Sequence, residues 1–147
     1  MLVEVNKLVK NQISKNFVIS VLEQANKTIK NRNVSAVSVA LVNDKTIKDL
    51  NNKYRKIDQV TDVLAFSDPA EIVICWPQLV RQAKEQKHGR KMELAVLLVH
   101  GLLHILGYDH KIKKQRLLME KKTEEIIRVL SEPGSDRPLV AIRARFR

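Results

Sequence analysis

The sequence has only one cysteine, Cys75, in 147 residues. A single cysteine cannot form a disulfide within the chain, so a reducing cytoplasm is the natural setting. Aromatic residues make up only 4% of the chain, although 44% is hydrophobic. The core is therefore expected to consist mostly of Val, Leu, Ile and Ala. The first residues, MLVEVNKLVKNQ, alternate apolar and polar side chains and lack the continuous apolar region of a signal peptide.

Long hydrophobic runs are also missing. The longest apolar stretch, residues 94–107, contains two histidines and is shorter than the ~20 residues that span a bilayer. We therefore expect a soluble cytoplasmic protein without a membrane partner. The length fits one domain, which we assign to residues 1–131. A linker, SEPGSDRP, leads into a basic C-terminal tail, and we assign residues 132–147 to this tail.

Acidic residues are scarce relative to basic ones. The chain has 27 Lys and Arg against 16 Asp and Glu, a net charge of +11. Such an excess favours a polyanionic partner, with nucleic acid preferred over a membrane. The alternative is an ordinary solvated basic surface. The basic residues are spread along the chain, without an RNP, zinc-knuckle or basic-zipper signature, so charge alone leaves both interpretations open.

The hydrophobic pattern changes repeatedly between period two and helical spacing. Ser14 is a plausible N-cap for the first helix. A strand, a helix and another strand follow one another at the start, which favours a mixed sheet. Strands are predicted at residues 2–5, 34–42, 61–66 and 71–75, and helices at residues 14–30, 44–54, 77–87, 91–106 and 112–130.

Three of the four histidines lie in HGLLHILGYDH, at the end of the most apolar predicted helix. Residues four apart in a helix differ by about 40° around its axis, so His100 and His104 share a face and can bind one metal ion. Gly107 is a good helix-ending residue, after which His110 can turn back as a third ligand. Three imidazoles leave one position of a tetrahedral zinc ion open, as in catalytic zinc sites.

The alternative is structural, because a lone histidine on an apolar face is usually a satisfied core residue. Burying three imidazoles without a ligand is expensive, however, since each unpaired polar group costs roughly 1–3 kcal/mol. We therefore expect one zinc ion per chain, although imidazoles also accept nickel and copper. His88 lies apart from the trio and is expected in an exposed loop.

The residue directly after His100 helps to distinguish a peptidase from other metal-dependent enzymes. A zinc protease carries Glu there as its general base, whereas this chain has Gly101. The glycine argues against a peptidase, and its small size allows another element to approach the metal closely.

The motif HGLLHILGYDH, of the form H-x3-H-x5-H, resembles the signature of the YbeY family, metal-dependent endoribonucleases of bacteria and organelles. The segment NNKYRKIDQVTDVLAF, residues 51–66, resembles a second signature of that family, in which N-x-x-Y-R leads into T-D-V-L-S-F. EIVIC resembles the strand that follows. The match in order and spacing covers roughly residues 34–120, and the occurrence of two motifs in one chain makes coincidence a poor explanation.

The resemblance implies an α+β fold in which a small mixed four-stranded sheet packs with about five helices. It also implies a zinc site held by His100, His104 and His110. The implied activity is cleavage of ribosomal RNA in maturation of the 16S rRNA 3′ end and in ribosome quality control. We expect the RNA to be single-stranded, because a phosphate must reach a metal at the bottom of a cleft. The implied partners are ribosomal RNA, the small ribosomal subunit with its proteins, and an assembly GTPase.

The family's functional arginine falls on Arg55. RNA cleavage builds negative charge on phosphorus, and a guanidinium can grip two phosphoryl oxygens at once. Arg55 and His104 are our candidate catalytic residues. Without the resemblance, Arg55 would be interpreted as an ordinary surface cation at a helix end. Lys53 and Lys56 flank it and could contact RNA phosphates or simply be solvated. The attacking group stays open between water activated by the metal and the ribose 2′-hydroxyl.

Two carboxylates near the motifs have two interpretations each. Asp109 could orient a ligand imidazole or shape a turn, and Asp62 could orient Arg55 or cap a backbone turn. Cys75 is a tempting fourth ligand but is better explained as a small buried residue. Two departures from the family pattern are an alanine, Ala65, where serine is usual, and Ala70–Glu71 in place of Gly-Asp.

Two other functions compete with the endoribonuclease. One is a non-catalytic ribosome-assembly factor that binds rRNA while zinc braces its fold, which the basic charge suits equally well. The other is a metal-dependent hydrolase of another substrate, including peptide.

Overall fold

The structure is a computed structural model that describes residues 1–29, 34–109 and 111–130. It has four strands and five helices, which confirms the predicted α+β class. The predicted tail, residues 132–147, and His110 lie outside the described residues. The elements are β1 (Leu2–Lys7), α1 (Lys15–Thr28), β2 (Ala36–Val42), α2 (Asp44–Arg55), β3 (Val63–Ser67), β4 (Ala70–Cys75), α3 (Trp76–Glu85), α4 (Arg90–Ile105) and α5 (Lys113–Leu130).

The four strands form one mixed sheet in the order β1-β2-β4-β3. The β2 strand runs parallel to both β1 and β4, whereas β3 is antiparallel to β4. A parallel pair needs a long crossover connection, and α1 provides it between β1 and β2. The β3 and β4 strands are joined by a short turn at Asp68 and Pro69. This order leaves β3 at one edge of the sheet.

Helices cover both faces of the sheet. Because successive side chains of a strand point to opposite faces, Ile72 and Ile74 join a large core with α1, α4 and α5. Val73 and Cys75 face the other way and pack with Ile47 of α2 in a smaller core. The α2 and α4 helices therefore lie on opposite faces of the same sheet.

The helix ends follow local rules. Ser14 is the N-cap of α1, as predicted, because its hydroxyl accepts a hydrogen bond from the Phe17 N–H at 3.1 Å. The side chain of Asn43 accepts from Thr46 N–H at 2.9 Å and caps α2 in the same way. Among the described helices, none combines the length and apolarity that crossing a bilayer requires.

Candidate active site

A cleft of about 730 Å³ opens at the β3 edge of the sheet. The edge strand separates α2 from α4, and both helices contribute to the cleft because they pack on opposite faces of the sheet. It brings together residues that are far apart in the sequence. Its lining consists of Tyr54, Arg55, Thr61, Asp62, Val63, Leu64, Ala65, Phe66, Leu97, His100, Gly101, His104, Asp109 and Lys111.

The two histidines of α4 converge in this cleft. His100 and His104 lie one helical turn apart, and their Nε2 atoms are 3.0 Å from each other. Their ring centroids are 4.6 Å apart. The Nε2 edges of the two rings therefore face each other across the same part of the cleft, as the four-residue spacing predicts.

The separation of these nitrogen atoms fits a shared metal ion. Two imidazole nitrogens that bind one tetrahedral zinc ion, each at ~2.0–2.1 Å, are about 3.3 Å apart. The observed 3.0 Å is close to that value. Within residues 1–29, 34–109 and 111–130, no group of three His, Cys, Asp or Glu side chains is placed to hold a metal ion. His110, the predicted third ligand, lies outside these ranges.

The chain leaves α4 through a turn that needs Gly107. Gly107 has φ 97°, a left-handed conformation that glycine adopts without strain. The Gly107 N–H donates to the His104 carbonyl at 3.0 Å, and Tyr108 N–H donates to Leu103 at 3.1 Å. These are the two bonds of a Schellman motif. The prediction that Gly107 ends the helix is confirmed.

After this turn the chain returns to the cleft. Asp109 and Lys111, on either side of position 110, both line it. Asp109 Oδ1 accepts a hydrogen bond from Lys111 N–H at 2.9 Å, and the side chain of Gln115 accepts from Asp109 N–H at 2.8 Å. Of the two predicted roles for Asp109, these contacts support the shaping of a turn.

Gly101 allows a strand to approach α4 closely. A Cβ atom added at Gly101 would lie 3.0 Å from Cγ2 and 3.2 Å from Cγ1 and Cδ1 of Ile72. The small residue therefore lets β4 pack tightly beneath the helix turn that carries both histidines.

Arg55 is the last residue of α2 and lines the cleft. The chain turns directly after it, because Lys56 is left-handed, with φ 59°. The buried side chain of Asn51 donates to the Gln59 carbonyl at 2.9 Å, and Ile57 N–H donates to the Asn51 carbonyl at 3.4 Å. These bonds tie the end of α2 to the following loop and hold Arg55 at the cleft.

The two flanking lysines lie elsewhere. Lys53 and Lys56 are exposed, and neither is among the described residues that line the cleft. The Nζ atom of Lys53 lies over the Tyr54 ring, 5.1 Å from its centroid. The structure therefore places Lys53 beside the cleft and Lys56 in the turn that ends α2.

Asp62 belongs to a polar network that the sequence did not reveal. Its Oδ1 accepts from Val63 N–H at 2.7 Å, which supports the backbone-capping role, and its Oδ2 accepts from Gln82 Nε2 at 3.2 Å. Gln82 also donates to Glu93 at 3.4 Å. Glu93 is fully buried and hydrogen-bonds His88 Nε2 at 3.0 Å. The available signal was the one glutamate of α4, which directly precedes the apolar run LAVLLV.

The expectation that His88 is an exposed loop residue is wrong. Its side chain is only 6% exposed. The loop that carries it folds back on the first turn of α4, where Glu93 captures the imidazole. A buried carboxylate needs a polar partner, and His88 provides one.

Three cleft residues were missed as functional candidates: Tyr54, Phe66 and Lys111. Tyr54 and Lys111 stand next to predicted site residues in the sequence, and this adjacency was the only available signal. Ala65 also lines the cleft, so a methyl group stands where the family pattern has a hydroxyl.

Cys75 lies in a different cluster, on the α2 side of the sheet. It is fully buried, as predicted, and its thiol donates to Asp44 Oδ1 at 3.3 Å. Burial raises the pKa of the Cys75 thiol to about 11. Arg81 grips both oxygens of Asp44, at 2.7 and 3.3 Å, and holds the pKa of that carboxyl below its ordinary value of 3.8. Among the described residues, these three do not line the cleft.

Comparison with known proteins supports the resemblance seen in the motifs. The family model described as Endoribonuclease YbeY matches residues 3–131. A protein named Endoribonuclease YbeY from Moorella thermoacetica is 42% identical, over 62% of this chain and 70% of its own length. Another with this name, from Shouchella clausii, is 37% identical and covers 75% of this chain and 81% of its own length.

A solved structure agrees with the fold. The solution structure of TM1509 from Thermotoga maritima superposes with a TM-score of 0.62 at 26% identity, covering 91% of this chain and 99% of that one. The family model spans most of the chain and includes both α2 and the histidine helix α4. The chain belongs to the YbeY family.

Proposed function

We propose that this protein is a metal-dependent endoribonuclease that cleaves single-stranded RNA and acts in 16S rRNA 3′-end maturation and ribosome quality control. The observation that carries the proposal is the presence of a guanidinium and a converging imidazole pair in one cleft. Arg55 comes from one face of the sheet, and His100 and His104 come from the other. The name Endoribonuclease YbeY, carried by the family model and by the relatives, supports the same activity.

We propose that His100, His104 and His110 hold one zinc ion. The 3.0 Å between the two described Nε2 atoms fits a common ion. Both neighbours of position 110 line the cleft, which supports His110 as the third ligand. Zinc bound there would supply Lewis-acid chemistry to a phosphodiester.

Arg55 is proposed to bind the phosphate that reacts. Its planar guanidinium donates two parallel hydrogen bonds to phosphoryl oxygens, and its charge stabilises the negative charge that develops in the transition state. Lysine places a point charge without this fork. The turn at Lys56 and the Asn51 hydrogen bonds keep the backbone of Arg55 at the cleft before RNA binds, so that only its side chain has to be ordered by the phosphate.

The proposed substrate is single-stranded because the reacting phosphate has to enter the cleft between α2 and α4. The +11 net charge supports RNA as the ligand, since cationic side chains release counterions from the phosphate backbone. We propose the small ribosomal subunit with its proteins, and an assembly GTPase, as the partners, and the cytoplasm as the location.

The test compares RNA cleavage by wild type, Arg55→Ala, Arg55→Lys and His104→Ala, each purified without a histidine tag and analysed for bound metal. Arg90→Ala is the matched control. It removes an exposed arginine from the start of α4, about 20 Å along the helix from His104.

We expect His104→Ala to lose both metal and cleavage. Arg55→Ala should retain metal and lose about 10²–10³-fold in kcat, as for removal of one transition-state donor, with only partial recovery in Arg55→Lys. Arg90→Ala should cleave like wild type. Equal cleavage by all variants would identify a contaminating nuclease. Absence of turnover in every form, with ribosome association retained in Arg55→Ala, would establish the non-catalytic assembly factor instead.

A further inference from the structure

We infer that Tyr54 is a stacking platform for a nucleobase of single-stranded RNA. The inference rests on the proposed function and deepens it by assigning a base-binding subsite next to Arg55. It concerns binding and positioning of the RNA, and it leaves the cleavage chemistry to the residues described above.

Tyr54 is an exposed aromatic ring inside a cleft. It lines the same cleft as the histidine pair, and 55% of its surface is exposed. The other described aromatic residues, Phe17, Phe66, Trp76 and Tyr108, are buried or half-buried. Aromatic residues make up only 4% of the chain, and a ring left in solvent does not contribute the hydrophobic stabilisation that it would give in the core. A ligand that covers the ring recovers that loss.

The ring is held in place from behind. Phe66 of β3 contacts Tyr54 in an edge-to-face arrangement, with centroids 5.0 Å apart and an interplanar angle of 66°. Edge-to-face pairs are favourable beyond the area that they bury. A ring whose orientation is fixed before binding loses little conformational entropy when a base stacks on it.

One cation lies over the ring, and a second is its neighbour in the sequence. The ammonium group of Lys53 lies 5.1 Å from the ring centroid, and Arg55 follows Tyr54 directly in the sequence. Proteins that bind single-stranded nucleic acid combine positive charge along the backbone path with aromatic rings under the bases. The three consecutive residues Lys53, Tyr54 and Arg55 provide both. This gives Lys53 a role at the rim of the cleft, where its charge can meet a phosphate next to the stacked base.

The alternative is that Tyr54 only packs on Phe66 and completes the wall of the cleft. The two interpretations differ in what the ring face contributes. Stacking requires an aromatic ring of any kind and a base on the RNA, whereas wall packing requires apolar volume and is indifferent to the base.

The first experiment measures binding of a single-stranded RNA oligomer, and of an abasic sugar-phosphate oligomer of the same length, in EDTA so that no cleavage occurs. The proteins are wild type, Tyr54→Phe, Tyr54→Trp and Tyr54→Leu. Leu2→Ala is the matched control, because it removes exposed apolar surface from β1 at the opposite edge of the sheet.

We expect Tyr54→Leu to weaken RNA binding about tenfold, within the range measured for base–aromatic stacking. Tyr54→Phe, Tyr54→Trp and Leu2→Ala should bind RNA within about twofold of wild type. All five proteins should bind the abasic oligomer equally, because that ligand offers charge alone. Unchanged RNA binding by Tyr54→Leu would overturn the inference, as would an equal loss on both oligomers.

The second experiment uses fluorescence. The only tryptophan of the chain, Trp76, is 8% exposed, so a tryptophan at position 54 gives a separate, solvent-exposed signal. We expect RNA to quench Tyr54→Trp fluorescence and the abasic oligomer to leave it unchanged. Quenching by neither ligand, while the protein binds RNA, refutes stacking at this position.

The outcomes separate this inference from the proposed function. If Arg55→Ala loses cleavage and Tyr54→Leu keeps wild-type KM and kcat, the base subsite is wrong and the endoribonuclease proposal stands. If wild type neither binds nor cleaves RNA, both fail together. A raised KM with little change in kcat for Tyr54→Leu supports the subsite, because a binding contact away from the reacting atoms acts on the ground state and the transition state alike.

Discussion

Replacing Gly101 with alanine tests how closely α4, the helix that carries His100 and His104, packs against strand β4. The added methyl group would lie 3.0 to 3.2 Å from three side-chain atoms of Ile72. Ordinary van der Waals contact begins near 3.4 Å, so a shift of a few tenths of an ångström is required. Ile72 is fully buried, and its strand is paired on both sides, with Val39 and with Ala65. A shift of Ile72 would therefore disturb its core neighbours or the pairing of β4 with β2 and β3.

Two effects of opposite sign determine the change in stability. Alanine is favoured over glycine inside a helix by about 0.8–1.0 kcal/mol. Adding a methyl group to a core that cannot relax destabilises by about 1–3 kcal/mol. Because three contacts are short at once, we place the strain in the upper half of that range. The expected net result is a loss of about 1–2 kcal/mol in the free energy of unfolding.

Urea denaturation of wild type, Gly101→Ala, Ile72→Ala and the double variant measures these terms. Ile72→Ala removes all three atoms that the new methyl group would meet. It destabilises by itself, by about 2–5 kcal/mol. In that background Gly101→Ala should become stabilising by about 1 kcal/mol, since the helix preference remains and the clash is gone.

The reversal of sign is the decisive observation. If Gly101→Ala stabilises the wild-type protein, α4 and β4 are not in the tight contact described here. If the substitution destabilises equally in both backgrounds, its effect does not come from Ile72.

Three further predictions concern residues outside the cleft. Glu93→Ala removes the buried acceptor that His88 faces, and we expect a loss of about 3 kcal/mol in urea denaturation, with less than half of that loss for Glu93→Gln; a loss below 1 kcal/mol contradicts the network. Arg81 lowers the pKa of Asp44 in the folded state. The Asp44–Arg81 pair therefore stabilises the fold fully above pH 3.8, and this stabilisation is lost as the pH falls through the lowered pKa of Asp44. Asp44→Asn should therefore cost up to about 1 kcal/mol at pH 7, and the difference from wild type should disappear once the pH has fallen below the lowered pKa of Asp44; a constant difference at all pH values argues against the pair. Cys75, buried with a pKa of about 11, should react with iodoacetamide at pH 8 only when the protein unfolds; rapid labelling without denaturant contradicts its burial.

Much of the fold was predictable because short-range rules set it. Alternating apolar residues marked the strands, and the Ser14 cap and Gly107 marked two helix ends, since these signals depend on neighbours within a few positions. The shared direction of His100 and His104 was also predictable, because helix geometry alone fixes it. The sequence therefore predicted the convergence of the two imidazoles without tertiary information.

Other features were beyond reach of local reasoning. His88 was expected in solvent because its neighbours in the sequence, Gly89 and Arg90, are typical of a loop. It is hydrogen-bonded to Glu93, on the next helix. Gln82 of α3 in turn connects Glu93 to Asp62, which directly precedes β3. Hydrogen bonds between elements have no period in the sequence, so a single sequence carries little sign of them.

By itself, the sequence determined which segments fold into helices and strands, where several of them end, and that two imidazoles share one helix face. Each of these follows from interactions within one or two helical turns. Only the tertiary structure decided that Arg55 and Tyr54 share a cleft with those imidazoles. That meeting depends on the order of the strands, which leaves β3 at an edge around which helices from opposite faces of the sheet can converge.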